Sequence, residues 1–224
     1  MAVSVLIPAF NEEKKIKLTI NSAFKLNGVN EVIVVDDGSR DRTYYKALET
    51  RAKVLQLPSN QGKGAALNLG LEKVKEDIIL LLDADIGTSA KEAYKLLAPV
   101  RKGEVDMTVA KFSLQNKKGG FGLTKRLATW GLRRITGENF LAPLSGQRAI
   151  TREVANKINN FAAGFGVEVA LTISVWHSDF KIEEVPVNMT HRFTGRDLKG
   201  FWHRGRQFKD VLTVLASQYI KEVS

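Results

Sequence analysis

Four short apolar runs, each followed by one helical pattern, constrain this chain more than any other feature. "VSVLIPA" (3–9), "EVIVVDD" (31–37), "AKVLQLP" (52–58) and "DIILLLDAD" (77–85) are dense in Val, Ile and Leu. Runs of this kind read as strands buried on both faces, as in a parallel sheet covered by helices. The stretches between them carry the helices that parallel crossovers need. Asn11 is expected to cap a helix through Leu26, and "GSRDRT" leads into a helix over about 42–52. "SNQGKGAALNLGLEKVK" opens a third helix, and "TSAKEAYKLLAPVRKG" a fourth starting near Thr88 or Ser89. "VDMTVAKF" (105–112) adds a fifth strand. The fold class is α/β, Rossmann-like, with a mostly parallel sheet flanked by helices.

The second half is less regular. A basic, glycine-punctuated segment (113–122) precedes a helix expected to place Leu123, Leu127, Trp130 and Ile135 on one face. "SGQRAI" reads as a short strand, "VEVALTISVW" (167–176) as a helix, and "KIEEVPVNM" (181–189) as a strand broken at Pro186. From Leu198 to Ile220 an amphipathic helix is expected. No repeat or low-complexity linker divides the chain, so residues 1–224 are expected to form one domain, with halves 1–112 and 113–224.

The net charge of +10, from 34 basic and 24 acidic side chains, favours an anionic partner: nucleic acid, a phosphorylated small molecule or a membrane surface. Residues 111–134 carry Lys111, Lys117, Lys118, Lys125, Arg126, Arg133 and Arg134 with no acid. Residues 191–209 add Arg192, Arg196, Lys199, Arg204, Arg206 and Lys209 against Asp197 alone. Cysteine is absent, which excludes disulfides and thiolate metal sites. No stretch approaches the roughly 18 apolar residues that span a bilayer. "MAVSVLIPAFNEE" lacks the basic start of a signal peptide, so the expected location is the cytoplasm.

Ligands of doubly wound sheets bind outside the carboxyl ends of the strands. Here those ends read "PAFNEE", "DDGS", "PSNQGKG" and "DAD". Charge left at the end of a dry strand costs several kcal/mol unless something pairs with it. Asp83 and Asp85 lie two apart, so in an extended chain they point the same way and form half of a Mg²⁺ or Mn²⁺ site. The alternative is that Asp83 caps the next helix and Asp85 is solvated. Gly62 and Gly64 allow close backbone approach, and Lys63 could meet a diphosphate at a helix N-terminus. Neither a Walker A motif nor G-x-G-x-x-G is present, which counts against triphosphate hydrolysis and dinucleotide binding.

"VSVLIPAFNEE", "VIVVDDGSRDRT", "NQGKGAALNLGL" and "ILLLDADIG", in this order, resemble the nucleotide-sugar half of family-2 glycosyltransferases with the GT-A fold, over about residues 3–112. The resemblance implies that Pro8, Phe10 and Glu12 line the nucleoside pocket and that Asp37 contacts the base. It puts Lys63 beside the nucleotide, Asp83 near the ribose or sugar, and Asp85 on a divalent metal carried by the diphosphate. "PLSGQRAI" (143–150) and "EEVPVNMTHRFTGRDLKG" (183–200) look like polyprenyl-phosphate sugar synthases of the dolichyl-phosphate mannose synthase type. That likeness implies an acceptor phosphate gripped by Ser145, Arg148, Arg192 and Arg196, with Arg126 alongside. "GFGVE" (164–168) and "THR" (190–192) instead resemble glucosyl-3-phosphoglycerate synthases, which implies Glu168 on the acceptor side and His191 as a metal ligand. The two families differ in stereochemical outcome, which stays open here.

Glu168 sits in an otherwise apolar helix, and a carboxylate there needs a partner or a cleft. It is the candidate base, although an ionised phosphate acceptor needs none. Phe201, Trp202 and Phe208, interleaved with Arg204, Arg206 and Lys209, fit core packing, a membrane-surface helix or, less well, nucleic-acid stacking. The expectation is a metal-dependent glycosyltransferase (Mg²⁺ or Mn²⁺) moving a hexose from a nucleoside-diphosphate sugar, UDP favoured, as in UDP-glucose. Its acceptor would be a polyprenyl phosphate or a small phosphorylated acid, with peripheral attachment to the inner face of the membrane as an option. The rivals are a nucleotidyltransferase and a non-catalytic nucleotide- or nucleic-acid-binding protein on the same fold.

Overall fold

The computed structural model describes residues 1–112, 122–158, 161, 164–190, 205 and 207–217. Seven strands form one sheet in the order β3-β2-β1-β4-β6-β5-β7. They are β1 (Val3–Ala9), β2 (Val29–Asp36), β3 (Lys53–Gln56), β4 (Ile78–Leu81), β5 (Met107–Phe112), β6 (Arg148–Thr151) and β7 (Ile182–Val187). β6 runs antiparallel to β4 and β5; every other pair is parallel. The helices are α1 (Ile16–Ala23), α2 (Thr43–Leu48), α3 (Lys63–Leu71), α4 (Tyr94–Arg101), α5 (Leu123–Thr136), α6 (Arg152–Lys157) and α7 (Val167–Trp176). A last helix, α8, covers 207–217.

The sheet is buried on both faces, as its composition requires. Val3, Val5, Ile7, Ile78 and Leu80 pack with α1 and α4 on one side, while Leu6, Ile33, Val35, Ile79 and Leu81 pack with α3, α6 and α7 on the other. α3 comes close because its inner residues are small. A Cβ on Gly70 would collide with the Leu6 side chain. α5, α7 and α8 enclose a third cluster built on Ala128, Leu132, Val169, Ile173, Val211 and Leu215.

Several local expectations change. Asn11 caps no helix: it sits at φ 55°, in the left-handed region that Asn tolerates, and α1 starts five residues later. Its N–H donates to Ser39 Oγ (2.9 Å) and its Oδ1 accepts from Arg40 N–H (2.9 Å), so it ties the loop after β1 to the loop after β2. Pro186 does not break β7, because an edge strand needs no inward N–H there. The fourth helix begins as a 3₁₀ turn, Gly87–Ala93. On α5 the buried side is Ala128, Leu132 and Thr136; Leu123 and Trp130 face outward. Among the described residues no helix is long and apolar enough to cross a membrane.

Candidate active site

β4 ends at Leu81, so Asp83 and Asp85 lie in a turn beyond the strand rather than in extended chain. Buried Thr19 of α1 holds that turn. Its Oγ1 donates to Ala84 O (2.8 Å) and accepts from Gly87 N–H (2.8 Å). Sequence alone offered no signal for Thr19 beyond a hydroxyl on an apolar helix face.

Lys63, the first residue of α3, reaches this turn. Its Nζ donates to Asp83 Oδ1 (2.6 Å) and to Glu168 Oε1 (2.7 Å). Glu168, in the first turn of α7, is 9% exposed. A lysine between two carboxylates answers the cost of burying acids at this depth. Burial alone would pull the ammonium's pKa down, but Asp83 and Glu168 outweigh it and hold the pKa above the ordinary lysine value. The side chain keeps 25% exposure, the route by which a ligand can meet it.

The second oxygen of Asp83 accepts from Gln147 Nε2 (2.5 Å), and Gln147 Oε1 accepts in turn from Ser145 Oγ (3.2 Å). Gly146 lies directly against the pair: a Cβ there would sit 2.7 Å from Asp83 Oδ1 and would also strike Lys63 Nζ. In the S-G-Q-R run, sequence reasoning therefore chose the outer residues, whereas the inner two touch the acid. Arg148, expected at an acceptor phosphate, points into the core and is 1% exposed. Its Nε donates to Ser145 O (2.9 Å) and its Nη1 to Thr172 Oγ1 (2.9 Å) of α7. Burial pulls its pKa down to about 10, opposed by Glu168, Glu184 and Asp83. So enclosed a guanidinium positions the site from beneath, and the expected phosphate contact does not fit it. Ser145 is likewise buried and engaged.

The opposite wall comes from the loops after β1, β2 and β3. Asp37, expected at a base, spends both oxygens on backbone: Oδ1 accepts from Gln61 N–H (2.7 Å) and Oδ2 from Gly62 N–H (2.8 Å). Burial raises its pKa, against the lowering effect of those two N–H groups. Gly38, at φ 66°, passes so close to Ser59 that a Cβ would lie 2.7 Å from its Cα. Glu12 N–H donates to Thr43 Oγ1 (2.7 Å), Phe10 is 40% exposed, and Pro8 is half-buried at the end of β1. Pro8, Phe10, Glu12, Asp37, Lys63, Asp83 and Asp85 thus all lie at the carboxyl ends of parallel strands, with Glu168 and Gln147 approaching from the far half.

Among the described residues no three metal-binding side chains converge. Asp85 is half-exposed in the turn. Thr190 bonds through its N–H to Ser89 Oγ (3.0 Å), four residues beyond Asp85. His191, Arg192 and Arg196 lie outside the described residues, as do Phe201, Trp202, Arg204 and Arg206.

Residues 4–164 match the family described as Glycosyl transferase family 2. The glycosyltransferase AglJ of Haloferax volcanii is 30% identical over 205 residues, covering 88% of this chain and 65% of the relative. The glucosyl-3-phosphoglycerate synthase of Mycolicibacterium smegmatis is 32% identical over 194 residues, covering 78% of this chain and 64% of the synthase. The chain thus spans just under two thirds of each. Among solved structures, the glucosyl-3-phosphoglycerate synthase of Mycobacterium tuberculosis, in complex with Mn²⁺, UDP-glucose and phosphoglyceric acid, superposes with a TM-score of 0.82 at 30% identity. That match covers 96% of this chain and 79% of that one. The sheet order, the acidic turn after β4 and the match over most of the sequence agree: this chain belongs to glycosyltransferase family 2 and has the GT-A fold.

Proposed function

We propose that the protein is a metal-dependent hexosyltransferase that moves a sugar from a UDP-sugar to an acceptor carrying a phosphate group. What carries this reading is the meeting of Lys63, Asp83 and Glu168 beside the Asp83–Asp85 turn. The same turn lies in a chain whose solved relative holds UDP-glucose, Mn²⁺ and phosphoglyceric acid.

On this reading the loops around Pro8, Phe10, Glu12 and Asp37 receive the nucleoside, and Asp37 shapes the pocket by fixing the Gln61–Gly62 backbone. Lys63, kept protonated by its two carboxylates, presents a positive charge to the diphosphate. Asp85 and His191 would hold the Mg²⁺ or Mn²⁺, a hard cation that suits oxygen ligands. With no three metal-binding side chains converging among the described residues and Asp85 the carboxylate assigned to it, the ion would be one brought largely by its nucleotide. When bound, the ion supplies Lewis-acid stabilisation of the departing diphosphate.

In the transfer itself, the bond from sugar C1 to the diphosphate oxygen breaks and a bond from C1 to an acceptor oxygen forms, with UDP leaving. An ionised phosphate oxygen attacks without a base. A hydroxyl acceptor would surrender its proton to Glu168, whose other partner is Lys63. Arg192 and Arg196 supply the guanidinium forks for the acceptor phosphate, while Arg148 braces the Ser145–Gln147 segment from inside.

The test is product analysis with UDP-glucose and Mn²⁺, offering 3-phosphoglycerate and a polyprenyl phosphate in separate reactions. A product heavier by one hexosyl group from a phosphate-bearing acceptor is expected. Hydrolysis of UDP-glucose alone, or equal transfer to the dephosphorylated acceptor, would refute the proposal.

A further inference from the structure

We propose that the outward face of α5, with the adjoining side of α8, docks on an anionic lipid bilayer. The inference goes beyond the transfer reaction and does not depend on it. α5 buries Ala128, Leu132 and Thr136. At one turn per 3.6 residues, Leu123, Arg126, Trp130, Arg133 and Arg134 all fall within an arc of about 100° on the opposite side. Leu123 is 61% exposed and Trp130 64% exposed, and the three arginines are exposed around them. No acidic residue occurs in Leu123–Thr136.

α8 extends the patch. Phe208, Leu212 and Leu215 share one side of that helix by their spacing, and the Leu215 side chain lies against Gly131 of α5, where any Cβ would clash with it. The α5-facing side of α8 therefore also carries Phe208, 38% exposed, and Leu212, 48% exposed. Four large apolar side chains thus stand in the open among cations.

The mixture selects the occupant. Tryptophan and arginine also occur at protein–protein interfaces, but with no acidic residue among the cations of Leu123–Thr136 this face calls for a continuous negative surface opposite it. Nucleic acid would engage the arginines but give Leu123 and Leu212 nothing to bury against. A bilayer surface takes both sets: Trp and Leu enter the acyl boundary while arginine heads stay among lipid phosphates. Of the residues that the sequence suggested for a membrane-surface helix, Phe208 and Lys209 lie on α8, and Phe201, Trp202, Arg204 and Arg206 lie outside the described residues.

The experiment is co-sedimentation of the full chain with phosphatidylcholine vesicles containing about 30% phosphatidylglycerol, against pure phosphatidylcholine. Binding is expected only to the anionic vesicles, with at least a fivefold loss in about 0.5 M NaCl, where the Debye length is short. The tryptophan emission should shift to shorter wavelength on binding, and Trp130→Ser should abolish that shift. Arg133→Glu/Arg134→Glu and Leu123→Ser/Trp130→Ser should each weaken binding about tenfold or more with unchanged thermal midpoints. The charge-matched Lys25→Glu/Lys157→Glu variant, on other exposed surfaces, should bind within about twofold of wild type. Three results would overturn the proposal: no binding to anionic vesicles, equal loss in the charge-matched control, or capture of an oligonucleotide in place of vesicles that the same α5 variants weaken.

Discussion

On the β3-β2-β1-β4 side of the sheet every strand runs parallel, and the loops at the strand ends are tied to one another through backbone groups; on the β6-β5-β7 side one strand is reversed, and the site receives side chains. Asp37 on Gln61 and Gly62, and Asn11 on Ser39 and Arg40, make the first side a frame. Glu168 and Gln147 come from the second side and end on Lys63 and Asp83 of the first. The frame shapes a pocket out of contiguous motifs. The reversed side sets the charge and orientation of groups that the frame presents.

This contrast can be broken, most severely at Asp85. Asp85→Ala should lower transfer about a thousandfold or more if it carries the metal, while the thermal midpoint stays within about 2 °C. Steady-state turnover with saturating Mn²⁺ reads the first effect and calorimetry the second.

Lys63 joins the two sides, so Lys63→Met should damage both activity and stability. Transfer is expected to fall about a hundredfold. Unfolding free energy should drop by about 2–3 kcal/mol, less than for a fully buried partner because the site is partly open. The alkaline limb separates this role from mere packing. With a raised pKa, the native state holds the Lys63 proton more tightly than the unfolded chain. That stability is fully present below the ordinary lysine value of 10.5 and is lost as pH rises through the folded value. The wild-type midpoint should therefore fall more steeply than the variant's above that pH, in a calorimetric pH series.

Gln147 tests the reversed side alone. Gln147→Leu should lower kcat about tenfold and stability by about 1–2 kcal/mol, by leaving one Asp83 oxygen without its donor. A positioning role predicts that the KM for donor rises while the KM for acceptor holds. Equal change in both would reduce Gln147 to packing.

The frame was readable because each of its motifs is local: an apolar run followed at once by its polar loop, as in "VIVVDDGS". The helix at Val167–Trp176 was equally plain, since its apolar length has no other good use. What could not be read depends on three-dimensional register. Whether Gln147 or Arg148 faces the site depends on where β6 begins and on its antiparallel pairing, Arg148 with Leu81, neither of which the residues reveal. Thr19 belongs to the site only because α1 crosses beneath the turn after β4. The outward set of Trp130 follows from the small inner residues Ala128 and Gly131, which let α5 seat closely, whereas apolarity alone had pointed Trp130 inward.

The central claim is that the turn after β4 binds a cation together with a uridine diphosphate, and calorimetric titration of UDP in the presence and absence of Mn²⁺ tests it most directly. Saturable binding that weakens at least about tenfold without the metal, and to the same extent in Asp85→Ala with it, is the predicted result. Equal affinity under all three conditions would contradict it.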